Sequence, residues 1–277
     1  MRDVINESLT DFELLSEDVK NIEKGYERFL GYANTYDEGR PKMSKKAISL
    51  LKIYLNREIN TIVDIGCGTG LSTEVCSEFA NNVIGIEPSI DMLNIAKTKE
   101  NNKMKFIKGY GEKTGIENEC ADIVICSQSF HWMEPEPTIK EIYRILKKGG
   151  IFAAIDAEYP PVINKELEIL NNHLRRKTAM LENPESKWRD KAEHLNNIRK
   201  SGLFEYSREI CFADTEKYDK ERFKKFLLSQ SSMQHAIKYK YEEIVDELNV
   251  LDEKLDNIFK GKTLDVIYPY KMRIAIK

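Results

Sequence analysis

From residue 45 onward the apolar residues fall into two alternating rhythms. Short runs rich in Val and Ile, at about 61–66, 82–87, 104–108, 121–127 and 150–156, predict strands. Between them, helical spacing predicts helices at about 43–56, 71–80, 89–99 and 137–148. Strands alternating with helices predict βαβ units around a parallel sheet, and hence a doubly wound α/β core. Ser89 stands where it can cap the third helix, and Pro137 suits the first turn of the fourth. Gly149, directly after Lys147 and Lys148, is expected to stop that fourth helix.

Past residue 157 the rhythm lengthens. Helices are expected at about 164–181 and 185–200, the second ended by Ser201 and Gly202, followed by a strand at 203–213. One helical stretch is then expected from about 216 to 259, and a closing strand at about 265–276. Within it Ile244, Leu248, Leu251, Leu255 and Ile258 form a single apolar stripe, too short for a coiled coil and expected to pack on the protein's own sheet or cap. The expected organisation is an N-terminal lid segment (1–42), an α/β core (43–157) and cap helices with the final strands (158–277).

Composition narrows the function. With 277 residues, 41% hydrophobic and 32% charged, the chain is globular in character. Its 43 basic and 46 acidic side chains leave a net charge of -3, which supplies no general field for a nucleic acid or an anionic membrane. A small-molecule partner is the expectation. Carboxylates interrupt every apolar run near the N-terminus, against a secretory signal, and no run approaches a membrane span. Cys67, Cys76, Cys120, Cys126 and Cys211 are odd in number and form no CxxC pair, which speaks against a zinc site or disulfide framework and for a reducing cytoplasm.

The segment with most chemistry is Thr61–Gly70, TIVDIGCGTG, where a predicted strand runs through three alternating glycines into a helix. Glycines there let the backbone turn sharply and lie against a ligand that a Cβ would push away. The dinucleotide fingerprint is GxGxxG, but Gly66, Gly68 and Gly70 make GxGxG, so a pyrophosphate is not the favoured guest. The next strand ends at Glu87, an acid placed to accept hydrogen bonds from a ribose diol. Together they point to a nucleoside without a diphosphate.

At these residues the chain resembles the class I S-adenosylmethionine-dependent methyltransferases, whose first motif matches VDIGCGTG. Further likeness, in Tyr36–Pro41 (YDEGRP), Gly109–Gly115 (GYGEKTG) and the His131–Trp132 pair, is to the small-molecule branch that includes trans-aconitate methyltransferases. The resemblance implies a Rossmann-like methyltransferase sheet with a helical cap formed by C-terminal insertions. It also implies S-adenosylmethionine as cofactor and S-adenosylhomocysteine as product. By the same resemblance Asp64, Gly66, Gly68 and Gly70 shape the methionine side of the site, Glu87 binds the ribose with Pro88 beside it, and Met92, Gly111 and Glu112 lie at the adenine. Ser127, Gln128 and Ser129 face the sulfonium and substrate, and Tyr36 closes over the cofactor. Where Gly111 stands the family usually has Ala, and Tyr110 takes a place often held by a small or acidic residue.

The acceptor is left open, with O-methylation of a carboxylic acid among the candidate reactions. A carboxylate arrives ionised and needs a cationic clamp, for which Arg40 is the candidate; a phenol, amine or carbon acid needs a base. His131 is either that base, a substrate-orienting donor, or a brace for its loop. The other readings are a nucleic-acid-modifying methyltransferase, against which SQSF stands where such enzymes carry (N/D)PPY, and a non-catalytic S-adenosylmethionine-binding protein.

Overall fold

The computed structural model describes residues 31–181 and 189–277. The first thirty residues of the expected lid, and 182–188 at the start of the expected 185–200 helix, lie outside the described residues.

The described chain opens with α1 (Ala33–Gly39) and α2 (Lys45–Leu55), and then alternates as expected. The order is β1 (Thr61–Ile65), α3 (Leu71–Cys76), β2 (Asn82–Glu87), α4 (Ile90–Lys97), β3 (Met104–Lys108), β4 (Ala121–Ser127), α5 (Pro135–Ile145) and β5 (Leu146–Ala157). The cap region carries α6 (Lys165–Leu181), α7 (His194–Lys200), β6 (Tyr206–Tyr218), α8 (Lys220–Leu228), α9 (Ser231–Tyr239), α10 (Val245–Asn249), α11 (Leu251–Phe259) and β7 (Leu264–Ile276). The strands form one seven-stranded sheet in the order β3-β2-β1-β4-β5-β7-β6. Strands β1 to β5 run parallel, and β7 is antiparallel to both β5 and β6.

Successive residues of the buried strands face opposite layers, so each strand feeds two cores. Ile62, Val83 and Ile123 pack with Ile48 and Leu51 of α2, Leu93 of α4 and the aromatic cap residues Phe223, Phe226 and Tyr268. Val63, Ile84, Val124 and Phe152 pack with Ile139 and Ile142 of α5 and Ile198 of α7 on the other side. Ile244, Leu251 and Leu255 of the apolar stripe are buried in the first cluster, with Leu248 and Ile258 against it. The stripe therefore serves this protein's own cap.

Four local expectations are corrected. The stretch 216–259 is not one helix: β6 runs on to Tyr218, Asp219 caps α8 by accepting from the Arg222 N–H at 2.8 Å, and three further helices follow. The predicted strand at 203–213 shifts accordingly to Tyr206–Tyr218. Helix α5 begins at Pro135 and ends at Ile145, and Gly149 (φ +69) sits inside β5, where the β4–β5 register also shifts. Ser89 occupies the N-cap of α4, but its hydroxyl makes no capping bond; the Glu87 carboxylate accepts from the Ser89 N–H instead.

Candidate functional site

β1 has β2 on one side and β4 on the other, so the connections leave it in opposite directions and a crevice opens at the carboxyl ends of these strands. A cavity of about 620 Å³ lies there. Gly66, Gly68 and Gly70 all have positive φ, at +70, +58 and +88. The loop is held from below: the Gly66 and Cys67 N–H groups both donate to the Ile86 carbonyl, at 2.8 and 3.0 Å. A Cβ on Gly66 would come within 2.6 Å of Ser129 Cβ, whereas one on Gly68 would meet only the Tyr36 ring at 3.9 Å. Gly66 thus keeps two strand ends close, and Gly68 leaves backbone open to the cavity opposite Tyr36.

Glu87 is buried at the end of β2, its carboxylate accepting from the Gly68 N–H and the Ser89 N–H, each at 2.8 Å. Burial pushes its carboxyl up to about 7, against these two hydrogen bonds and with help from the nearby Asp64 charge. Two bonds leave lone pairs on a carboxylate that can accept four, which suits a diol. These residues therefore fit an adenosyl group: an open backbone cradle, and an acid beside it with accepting capacity to spare.

A carboxyl raised from 4.5 to about 7 in the folded state costs stability as pH rises through that window, roughly 3 kcal/mol once fully ionised. Diol donors favour the ionised form and offset that cost. The thermal stabilisation given by saturating S-adenosylhomocysteine is accordingly expected to be larger at pH 8 than at pH 6. A scanning denaturation series at the two pH values checks it, and an equal or smaller shift at pH 8 contradicts the role of Glu87.

Of the residues singled out from sequence, Tyr36, Arg40, Gly66, Gly68, Glu87, Pro88, Met92, Gly111, Glu112, Ser127, Gln128, Ser129 and His131 all line this cavity. Asp64 and Gly70 do not. Asp64 lies behind the loop, accepting from the Ser72 and Thr73 hydroxyls at 2.6 and 2.7 Å and so tying the start of α3 to β1. Burial raises its carboxyl to about 6, against those two bonds. Gly70 packs against Phe106, 2.9 Å from where its Cβ would be. Met92 belongs both to a small core with Tyr32 and Ala33 and to the cavity wall. Glu112 accepts from the Glu134 N–H at 3.2 Å, helping to hold the start of α5.

Arg40 is placed by its neighbour. Pro41 forces the preceding residue out of the helical region, and Arg40 accordingly leaves α1 with φ -74 and ψ 143. Its guanidinium lies 5.2 Å from the Tyr36 ring centroid and 5.9 Å from that of Tyr159. Arg222 of α8 fixes this corner by donating to the Gly39 and Arg40 carbonyls.

His131 sits in a short 3₁₀ turn after β4, with its Nδ1 3.9 Å from an Asp156 carboxylate oxygen at the end of β5. Asp156 is almost wholly buried. It also lies 2.9 Å from Arg273 Nη1, 3.1 Å from Lys191 Nζ and 3.2 Å from His194 Nδ1. Burial alone would raise its carboxyl, but the adjoining His194 imidazole and the Lys191 ammonium, with His131 beyond them, outweigh it and hold it at about 2. Lys191 further donates to Gln128 Oε1 at 2.6 Å, linking the ends of β4 and β5 through one ammonium.

Sequence reasoning missed the wall supplied by the cap: Tyr159 after β5, Asn172, Arg175 and Arg176 on α6, Lys191, and Gln230 before α9. A signal existed on α6. Asn172, Arg175, Arg176 and Ala179 recur at helical spacing beside the buried Leu167, Leu170 and Leu174, a second face distinct from the apolar one.

The sheet order and glycine loop define a Rossmann-like methyltransferase fold. A solved structure from Anaeromyxobacter dehalogenans, a candidate type II methyltransferase, matches with a TM-score of 0.66 at 18% identity, covering 86% of this chain and 97% of that one. The YcgJ protein of Bacillus subtilis matches at 0.52 and 17% identity, over 84% and 99% of the two chains. In sequence, residues 63–154 match the family model of a methyltransferase domain. The probable S-adenosylmethionine-dependent methyltransferase CRG1 of Saccharomyces cerevisiae is 34% identical over 124 residues, 43% of each chain. The ubiquinone/menaquinone biosynthesis C-methyltransferase UbiE of Campylobacter jejuni is 33% identical over 151 residues, 48% of this chain and 63% of that one. The chain thus spans about half the length of the curated relatives it matches. No helix among the described residues is long and apolar enough to cross a membrane.

Proposed function

We propose that this chain is an S-adenosylmethionine-dependent methyltransferase acting on a small molecule, and that the acceptor carries a carboxylate, which Arg40 binds and whose oxygen takes the methyl group. One observation carries the reading: the glycine loop, Glu87, Arg40 and His131 all line a single cavity. The methyltransferase-domain match over residues 63–154 supports the cofactor, and the UbiE relative, named for quinone biosynthesis, is in keeping with a small acceptor.

S-adenosylmethionine, when bound, supplies a methyl group on a sulfonium and leaves as S-adenosylhomocysteine. Glu87 would accept from the ribose hydroxyls, the backbone at Gly66 and Gly68 would lie against the methionine portion, and Pro88, Met92, Gly111 and Glu112 would line the adenine end. Ser127 and Gln128, at the mouth of β4, would face the acceptor. Such a transfer asks little covalent help of the protein. Holding two reactants in line is worth as much as ~7–11 kcal/mol in favourable cases. In the same reading residues 43–157 bind the cofactor and 158–277 cover the acceptor.

Calorimetric titration with S-adenosylmethionine, followed by labelled methyl transfer to a panel of small carboxylic acids, phenols and amines, tests the proposal; no heat of binding would refute it. Because a carboxylate needs no deprotonation, His131→Ala is expected to lower kcat on the acceptor found by less than ~100-fold, below the range of general-base loss. Steady-state kinetics decides, and a greater loss that formate or imidazole rescues would move the reaction to a protic nucleophile.

A further inference from the structure

The cap brings positive charge to the cavity that, among the described residues, has no carboxylate partner. Elsewhere in the described structure, arginines at part-buried sites face carboxylates: Arg57 pairs with Asp122, Arg144 with Glu141, and Arg273 with both Asp156 and Glu209. Arg40, Arg175 and Arg176 break this habit. All three line the cavity, and among the described residues no carboxylate lies within 4.0 Å of any of them. Arg40 Nε is moreover buried without a hydrogen-bond partner. Guanidinium groups gathered in a half-buried cleft with no counter-charge are costly unless a ligand supplies it.

Arg40 and Arg175 differ in how they are held. Arg40 is fixed against the Tyr36 and Tyr159 rings, one fork already oriented. Arg175 reaches the same cavity from α6, on the helix face away from the buried Leu167, Leu170 and Leu174, and no hydrogen bond ties its guanidinium to the described protein. The two cations and the Tyr159 phenol line the same cavity, where burial pushes the Arg175 pKa down, Tyr159 opposes this and the charge of Arg40 adds to it. Two planar forks lining one cavity suit the bidentate geometry of an oxyanion.

Resting on the methyltransferase reading above, we infer that Arg175 is the second jaw of a two-guanidinium clamp, closing with Arg40 on one oxyanion group of the acceptor, and that Arg175 sets acceptor specificity. A carboxylate is the favoured occupant, since both forks are planar; a phosphate ester presents the same oxygens. Arg40 supplies the prearranged contact, and Arg175 selects for an acceptor whose anion reaches the cap.

The test uses the intact protein saturated with S-adenosylhomocysteine and titrated calorimetrically with malonate or with inorganic phosphate. Wild type is expected to bind at least one probe, and Arg175→Met to weaken that binding by about tenfold or more, the loss of a charge-assisted pair. Arg175→Lys keeps the charge but not the fork and is expected to fall between them, which guards against a folding defect in the methionine variant. Preference for malonate assigns a carboxylate acceptor, and preference for phosphate assigns a phosphate ester; both support the clamp. Unchanged probe affinity in Arg175→Met, or a wild type that binds S-adenosylhomocysteine but neither probe, overturns it and leaves the methyltransferase reading standing. Failure to bind S-adenosylhomocysteine instead strikes that reading, and the probe titrations then judge the clamp alone.

Discussion

Replacing Glu87 with alanine is expected to weaken S-adenosylmethionine binding by at least about a hundredfold while leaving the protein folded. Two hydrogen bonds from ribose hydroxyls to a carboxylate are each worth ~1.5–3 kcal/mol, and every ~1.4 kcal/mol is a factor of ten in affinity. Stability is expected to move far less, because two opposing contributions change together. Glu87→Ala frees the Gly68 and Ser89 N–H groups that the carboxylate now binds, which destabilises the loop. It also removes an acid that burial holds at about 7, which stabilises the fold at neutral pH. Calorimetric titration beside thermal denaturation separates the two. Unaltered affinity would falsify the ribose assignment, and a collapse of stability with affinity would recast Glu87 as a structural brace.

The second large effect falls on stability. Asp156→Ala is expected to cost ~3–5 kcal/mol of folding free energy, because it strands partners taken out of water. Arg273 is 2% exposed and would keep, among the described residues, only Glu209 as an ion-pair partner, while Lys191 and His194 would lose a carboxylate at 3.1 and 3.2 Å. Urea denaturation reads the loss as a lower midpoint. The double variant Asp156→Ala/Arg273→Met is expected to be more stable than Asp156→Ala, since the stranded guanidinium goes with its partner. A double variant less stable than the single would show that Arg273 acts through packing rather than charge.

What could be read from the sequence was what is local in it. The central parallel strands announce themselves as apolar runs rich in Val and Ile because both faces are buried, as β1 and β4 are throughout most of their length. The glycine loop and Glu87 are a strand end and the acid of the next strand, so short-range spacing sufficed. Strand β6 is different. At the sheet edge it is exposed or half-exposed from Tyr206 to Lys217, and its charged residues blurred the boundary with α8. The cap wall was illegible for another reason. Tyr159, Arg175 and Gln230 are distant from the cofactor motifs in sequence, and only the return of the chain across the strand ends brings them to Arg40.

The placement of β7 has a consequence for biosynthesis. Lying between β5 and β6, it is, among the described residues, the only strand that β6 pairs with. A nascent chain can assemble the five parallel strands as they emerge, but β6 waits unpaired until residues 264–276 leave the ribosome and slide in beside it. The open flank of β5 and the bare ladder of β6 are then the places where a growing polypeptide is most exposed to wrong partners, and where a chaperone would do most good.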